Sequence, residues 1–541
     1  MECISPRCSA TETAPWSFYP GEPLDERQAR VWLWTILALG ILVRLLRYGL
    51  RMPLWYDEAC LSANFLQRGY GDFAQPLDGG QACPILFLWV QLTFVRLFGF
   101  SEYALRLFPL LAGVGSLLLF RRLAGRFVRG AGLVLVVGML AASLPAIRYS
   151  AEGKPYGTDL FISLALLTMT VEWMTRPERT GWLWALAALA PVAACLSFPA
   201  AFVGGGASLA IARTLWRGGH RGWTAWAAFN LLLVAGFLVV MTFARKNVDL
   251  LTNQNMQDYW KESFPPFDSI KALALWLLKA HSGDVLAHPF GGKNGASSLT
   301  LLLFVVGLVV LARRRPAVAV LLVTPFALTL LAAAMHRYPY GGHVRLAMHL
   351  APMVCLAAGL GLAAIVGSYA VRRPGRVPTV LVAGSLVLLI VAEAARQMVR
   401  PGRAGSDQQS RAFAIWFWTA KSYDGVLVCA KTDLRLPFTS PIAREGEEAM
   451  YLCNQRIYSP RHAHGDPPPM DAVSAERPLR VAWFRVLRLK EDEAAVEDWL
   501  RSMSQSYRLS TRARYPLPVY QKHGLEEETC VEVFEFLPTR R

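Results

Sequence analysis

The sequence predicts an all-α polytopic membrane protein of about 11 transmembrane helices with interfacial helices, plus a small C-terminal soluble α/β domain. Three observations carry this expectation. The chain of 541 residues is 54% hydrophobic, its mean hydropathy is +0.32, and its apolar residues come in blocks. A block of about 20 such residues crosses roughly 30 Å of hydrocarbon. Arginines gather between alternate blocks, which is the pattern of cytoplasmic loops. After about residue 400 the composition turns polar, beginning at Arg403, Ser406 and Asp407. The formal charge of +17 therefore belongs to inter-span clusters. No basic stripe interleaved with aromatics and no nucleic-acid motif is present, so no nucleic-acid partner is expected.

Residues 1–29 read as a cytoplasmic tail. Asp25, Glu26 and Arg27 do not suit a secretory signal, so the first span is read as uncleaved. The membrane domain runs over 30–396. Its spans are expected at 30–50, 103–121, 131–148, 156–174, 182–197, 199–215, 223–243, 299–312, 317–335, 345–367 and 378–396. The segment 84–99 carries Gln91 and Arg96 and covers only about 24 Å as a helix. It is read as lying in the membrane interface. With that choice, Arg27/Arg30, Arg121–Arg129, Arg176/Arg179, Arg213–Arg221, Arg313–Arg315 and Arg372–Arg376 share the cytoplasmic side. Loops 51–102, 148–155, 244–298 and 336–344, and the chain after 397, share the outer side.

Residues 400–541 read as an extracytoplasmic α/β domain. Gly425–Ala430, Leu479–Phe484 and Cys530–Phe536 are strand-like, and 409–421 and 490–505 are amphipathic helices. No GxGxxG or P-loop is present. Of the nine cysteines, Cys60 and Cys83 share the first outer loop. A disulfide and two independent thiols are both open readings there, and no metal-type Cys/His spacing occurs.

Three polar motifs fall on the outer face. The first is Trp55-Tyr56-Asp57-Glu58-Ala59. Its paired carboxylates offer a base at the water edge of the bilayer; alternatively, Asp57 caps the next helix and Glu58 favours its positive end. The second runs from Arg148 to Tyr156 and holds Glu152 and Lys154. Glu152 either supports the base or joins a solvated ion cluster, and Arg148 or Lys154 faces an anion in the functional reading. The third, His336–Arg345, contains Pro339, Gly341, Gly342 and His343. Arg345 opens the next helix, where a cation is unfavourable. A phosphate there would suit guanidinium geometry; snorkelling to headgroups is the alternative.

These motifs resemble the C-type membrane glycosyltransferase superfamily, in particular glycosyltransferase family 39 and the lipid A aminoarabinose transferases. The likeness rests on WYDEA, the helix after Pro84, and Gly99–Leu107 opening the second span. SAEGKPYG and YPYGGHVR complete it, and it covers roughly 30–396. It implies a sugar donor carried on polyprenyl phosphate, used on the outer face. It implies Asp57 as general base with Glu58 and Glu152 beside it, and inversion at the anomeric carbon. Arg345, then Lys154 and Arg148, would meet the departing phosphate, with Tyr156 and His343 in the binding site. The acceptor, whether lipid, glycan or protein, is not legible.

The chain departs from this pattern at Ala82-Cys83, where aminoarabinose transferases carry a Glu-Lys pair whose glutamate contributes to a metal site. No cofactor is legible, and assistance by a divalent metal stays open. The rival readings are a transporter of lipid-linked sugars and a non-catalytic membrane scaffold. Transport calls for polar groups near mid-membrane, and the spans read as largely uncharged in their centres.

Overall fold

The computed structural model describes residues 24–77, 81–219, 221–247, 260–289, 292, 295, 297–372, 376–399, 413, 416–417, 426–429, 478–486, 490–516, 520–522, 525–527 and 529–539. Helix α1 covers Glu26–Gly49. It starts before the expected apolar limit because Asp25 accepts from the Gln28 N–H at 2.7 Å, a cap that hydropathy does not register. Then follow α2 (Tyr56–Gln67), α3 (Ile85–Phe98) and α4 (Glu102–Ala124). Segment 84–99 is thus one 14-residue helix with Pro84 at its N-cap. Gln91 and Arg96 find protein partners: Gln91 donates to the Leu105 carbonyl at 2.8 Å, and Arg96 lies over the Tyr70 ring.

The expected span 131–148 is two helices, α5 (Gly130–Ala141) and α6 (Leu144–Tyr149). Pro145 lacks an N–H and its ring would meet the carbonyl four residues back, so α5 cannot run through it. Ser143 caps the second piece through the Ala146 N–H. The chain continues through α7 (Tyr156–Thr175), α8 (Gly181–Leu196), α9 (Ala200–Gly218) and α10 (Trp223–Asn247). The stretch after α10 contains α11 (Ile270–Ser282). Then come α12 (Ser298–Arg314), α13 (Pro316–Ala334), α14 (Ala351–Arg372) and α15 (Val377–Val399). The expected span at 345–367 begins as a 3-10 turn over Val344–Leu350 before α14 takes over.

Six helical segments among the described residues are long and apolar enough to cross a membrane: Glu26–Gly49, Glu102–Ala124, Trp223–Phe243, Pro316–Ala334, Val344–Arg372 and Val377–Val399. This is a multi-pass membrane protein. The remaining expected spans are helical too, but α5, α8 and α12 are shorter and α7 and α9 fall short of the same apolar standard.

Helix α14 is the buried centre, packed on α5 and α12, while α4 packs on α7, α8 on α10, and α9 on α13. Where α12 crosses α14, Gly307 faces the Ala357 carbonyl and Gly361 faces the Leu303 carbonyl. Any Cβ at either glycine would collide with backbone, so small residues set this crossing.

The apolar blocks are less uniform than hydropathy suggests. Arg44, Arg106 and Asp159 are all buried within helices. Arg44 donates to the Gly40 carbonyl at 2.7 Å and to the Leu140 and Ala141 carbonyls at the end of α5. Such groups need internal partners in a membrane.

At the C-terminal end, a four-stranded sheet has the order β1-β2-β6-β3, from β1 (Val426–Cys429), β2 (Leu479–Val486), β3 (Tyr507–Pro516) and β6 (Thr529–Pro538). β1 and β2 are parallel and the other pairs antiparallel. A small ladder joins β4 (Tyr520–Lys522) to β5 (Leu525–Glu527). Helix α16 (Lys490–Met503) covers one face, where Trp483, Val496, Trp499, Phe534 and Phe536 form a core. The three strand-like runs are strands, and β3 is an addition to them. The helix expected over 409–421 lies mostly outside the described residues.

Candidate active site

Helix α2 starts at Tyr56, which places Asp57 and Glu58 at its second and third positions with Trp55 as N-cap. Asp57 is therefore not the cap. Glu58 reaches back to the Trp55 N–H at 3.3 Å, the acidic half of a capping box. Its other contacts hold it fast: Arg106 donates through Nε and Nη2 at 2.9 Å each, and the Gly153 N–H at 2.7 Å. A carboxylate offers about four acceptor positions, and all four of Glu58 are used. It is buried, as is Arg106.

Asp57 is held differently. Its Oδ2 accepts one bond, 2.7 Å long, from Nη1 of Arg345, a residue 288 positions away. Asp57 keeps 23% side-chain exposure against 8% for Arg345, so a molecule can still reach the carboxylate. The Arg345 guanidinium lies between two indoles, with its central carbon 5.1 Å from the centroids of both the Trp55 and Trp260 rings. Such stacking suits the flat guanidinium face.

The backbone that presents Arg345 is the glycine turn expected from YPYGGHVR. Gly341 and Gly342 have φ of +78° and +74°, which side chains with a Cβ avoid. Gly342 sits against Ser263 with no room for a Cβ. His343 caps the 3-10 turn by accepting the Arg345 N–H on Nδ1 at 3.2 Å. The stretch between α10 and α12 is fastened to the same turn: the Tyr340 N–H donates to the Ser263 carbonyl at 2.9 Å, and the Tyr340 hydroxyl pairs with His281 Nε2 at 3.0 Å. Burial pushes the His281 imidazole below its usual range, partly offset by its bond to the Leu277 carbonyl. Tyr259, next to Trp260, lies outside the described residues.

The Arg148–Tyr156 motif turns over between α6 and α7. It seats against α4, where Gly113 leaves space for Ser150. Arg148 Nε donates to Glu152 Oε1 at 3.0 Å, with Glu152 buried and Arg148 more open. Tyr156 stacks edge-on against Tyr149, and the charges of Arg345, Asp57 and Glu152 all act on its hydroxyl. Arg148 also lies within electrostatic reach of Arg345. Asp57, Arg345, Tyr156, Glu152 and Arg148 thus form one cluster from three distant segments.

Lys154 is buried and donates to Gln81 Oε1 at 2.6 Å. No carboxylate lies within ion-pair distance of it among the described residues. Cys83, beside them, is a free buried thiol, so the disulfide reading with Cys60 falls away. Burial pushes this thiol up to about 12, against the pull of the Lys154 ammonium and with a push from Asp159. The place does not fit a divalent cation: its donors are a neutral thiol and an amide, and an ammonium already occupies it. Among the described residues no group of three or more His, Cys, Asp or Glu side chains could hold a metal.

Four participants carried no assigned role in the sequence reading: Arg106, Gln81, Trp55 and Trp260. Arg106 had a signal, since an arginine inside an apolar span requires a partner. The indole cage had none, because one wall comes from each of two distant loops.

No family model matches the chain, and no curated protein matches it in sequence. Among solved structures, ArnT from Cupriavidus metallidurans in the apo state aligns at TM-score 0.52 and 14% identity, covering 93% of this chain and 98% of that one. The same protein bound to undecaprenyl phosphate aligns at TM-score 0.51 and 14% identity, with the same coverage. At that identity the likeness is one of fold: the chain has an ArnT-like C-type glycosyltransferase fold.

Proposed function

We propose that this chain is an integral membrane glycosyltransferase that moves a sugar from a polyprenyl-phosphate carrier to an acceptor on the extracytoplasmic face. The observation that carries this reading is the Asp57–Arg345 contact at 2.7 Å. It joins a reachable carboxylate to a cation at the place where two outer-face motifs meet. The fold shared with a protein that binds undecaprenyl phosphate supplies the class of carrier.

In this reading Asp57 takes the proton of an acceptor hydroxyl. The hydroxyl oxygen attacks the anomeric carbon from the face opposite the phosphate, and the carbon–oxygen bond to phosphate breaks with its electron pair on the phosphate. The configuration inverts. Phosphate is already a good leaving group, so the protein contributes the base, alignment and positive charge for the departing oxygen. Arg345 supplies a planar fork for that oxygen. Lys154 supplies a buried ammonium whose described hydrogen-bond partner, Gln81, is neutral, and such a charge favours an incoming anion. Glu152 orients Arg148, and Tyr156 and His343 border the pocket. Glu58 positions the start of α2 instead of exchanging protons, because its acceptor positions are filled.

Two results test this reading. Arg345→Lys keeps the charge and loses the fork, so donor use should fall clearly, and Arg345→Ala should nearly eliminate it. Equal donor affinity and turnover in Arg345→Lys would mean that the residue serves as a headgroup anchor. Cysteines engineered at exposed positions within 268–279 should react with an impermeant reagent from outside, and cysteines at 122–129 and 313–316 should not. The reverse pattern would place the cluster on the cytoplasmic face and remove the proposed donor geometry.

A further inference from the structure

We infer that the donor's phosphate and Asp57 compete for the Arg345 guanidinium, so that donor binding releases the base and proton transfer releases the cation. This rests on the transferase reading above and adds how the two halves of the reaction are coupled.

The geometry motivates it. Arg345 is mostly buried, with its guanidinium over the rings of both Trp55 and Trp260. From that place it holds Asp57 by one nitrogen, Nη1. Asp57 is the more exposed partner and sits on the second residue of α2, where the helix's positive end also supports it. Of the two, it can give up the arginine more readily. Glu58, by contrast, keeps Arg106 through two bonds.

The charges then balance through the reaction. Before the donor arrives, carboxylate and guanidinium neutralise each other. A bound phosphodiester takes a share of the guanidinium. When the acceptor's proton moves to Asp57, the carboxyl becomes neutral and its hold on Arg345 weakens from ion–ion to ion–dipole. At the same moment the breaking bond places new negative charge on the phosphate oxygen. The guanidinium is freed as that charge appears.

The test is the affinity of undecaprenyl phosphate, used as probe, for the full-length protein and for Asp57→Asn, with turnover measured alongside. The proposal expects Asp57→Asn to bind this product more tightly, by about 5- to 150-fold, the usual span of a coupling between two sites, while turnover is lost. Equal or weaker binding with lost turnover would overturn the competition and leave Asp57 as base. Normal turnover in Asp57→Asn would instead overturn the transferase site itself. If Asp57→Asn is not recovered from membranes, Asp57→Ser also removes the charge and carries the same comparison.

Discussion

Replacing Asp57 with asparagine is expected to lower sugar transfer at least about 100-fold, the low end of general-base effects, with the protein still recovered folded from membranes. The amide keeps the shape and a hydrogen bond at the start of α2 but cannot take a proton. Stability should change little, because Asp57 is partly exposed and its pair with Arg345 is a single contact. The measurement is initial rate at saturating donor, alongside thermal unfolding in detergent. Activity within a few-fold of the unmutated protein would remove Asp57 from the chemistry.

Arg106→Ala is expected to act through stability. Arg106 and Glu58 are both almost fully buried and share two bonds of 2.9 Å. Removing one partner strands the other charge, at a cost of about 3–5 kcal/mol. The thermal midpoint in detergent should fall and yield should drop. The loss should spread to activity, because Glu58 also ties the Gly153 N–H of the turn between α6 and α7 to α2. Combining Glu58→Gln with Arg106→Met removes both charges together and should recover much of the stability. If Arg106→Ala unfolds at the temperature of the unmutated protein, the pair is not the pin described here.

The residues at the centre of this site were legible one at a time. WYDEA announces Asp57 because two acids are costly next to an apolar span. The glycine turn announces Arg345 because a cation at the start of an expected span needs an explanation, although the structure sets Arg345 in the 3-10 turn that precedes α14 instead of in the helix itself. Their contact was not legible, since 288 positions separate them and neither segment encodes its partner. The sequence alone suggested a phosphate or lipid headgroups opposite Arg345, and the structure adds the Asp57 carboxylate as a partner within the chain.

Other differences have equally local causes. Pro145 marked the break between α5 and α6, but the apolar residues on both sides hid it from a hydropathy window. Strand β3 was missed because it is rich in arginine. Arg512 and Arg514 turn toward the buried Glu532, so a structural face reads as a polar run. Arg44 passed as the edge of a span, although it satisfies carbonyls freed where α5 ends.

The most direct test of the account is incubation of the purified protein with a panel of radiolabelled polyprenyl-phosphate sugars and a membrane extract as acceptor source, run in parallel with Asp57→Asn. The account predicts release of free polyprenyl phosphate from at least one donor, with the sugar recovered on a new product in the inverted configuration, and neither event with Asp57→Asn. Donors that bind or cross the membrane intact, with no polyprenyl phosphate released, would contradict it and point to transport of the lipid-linked sugar.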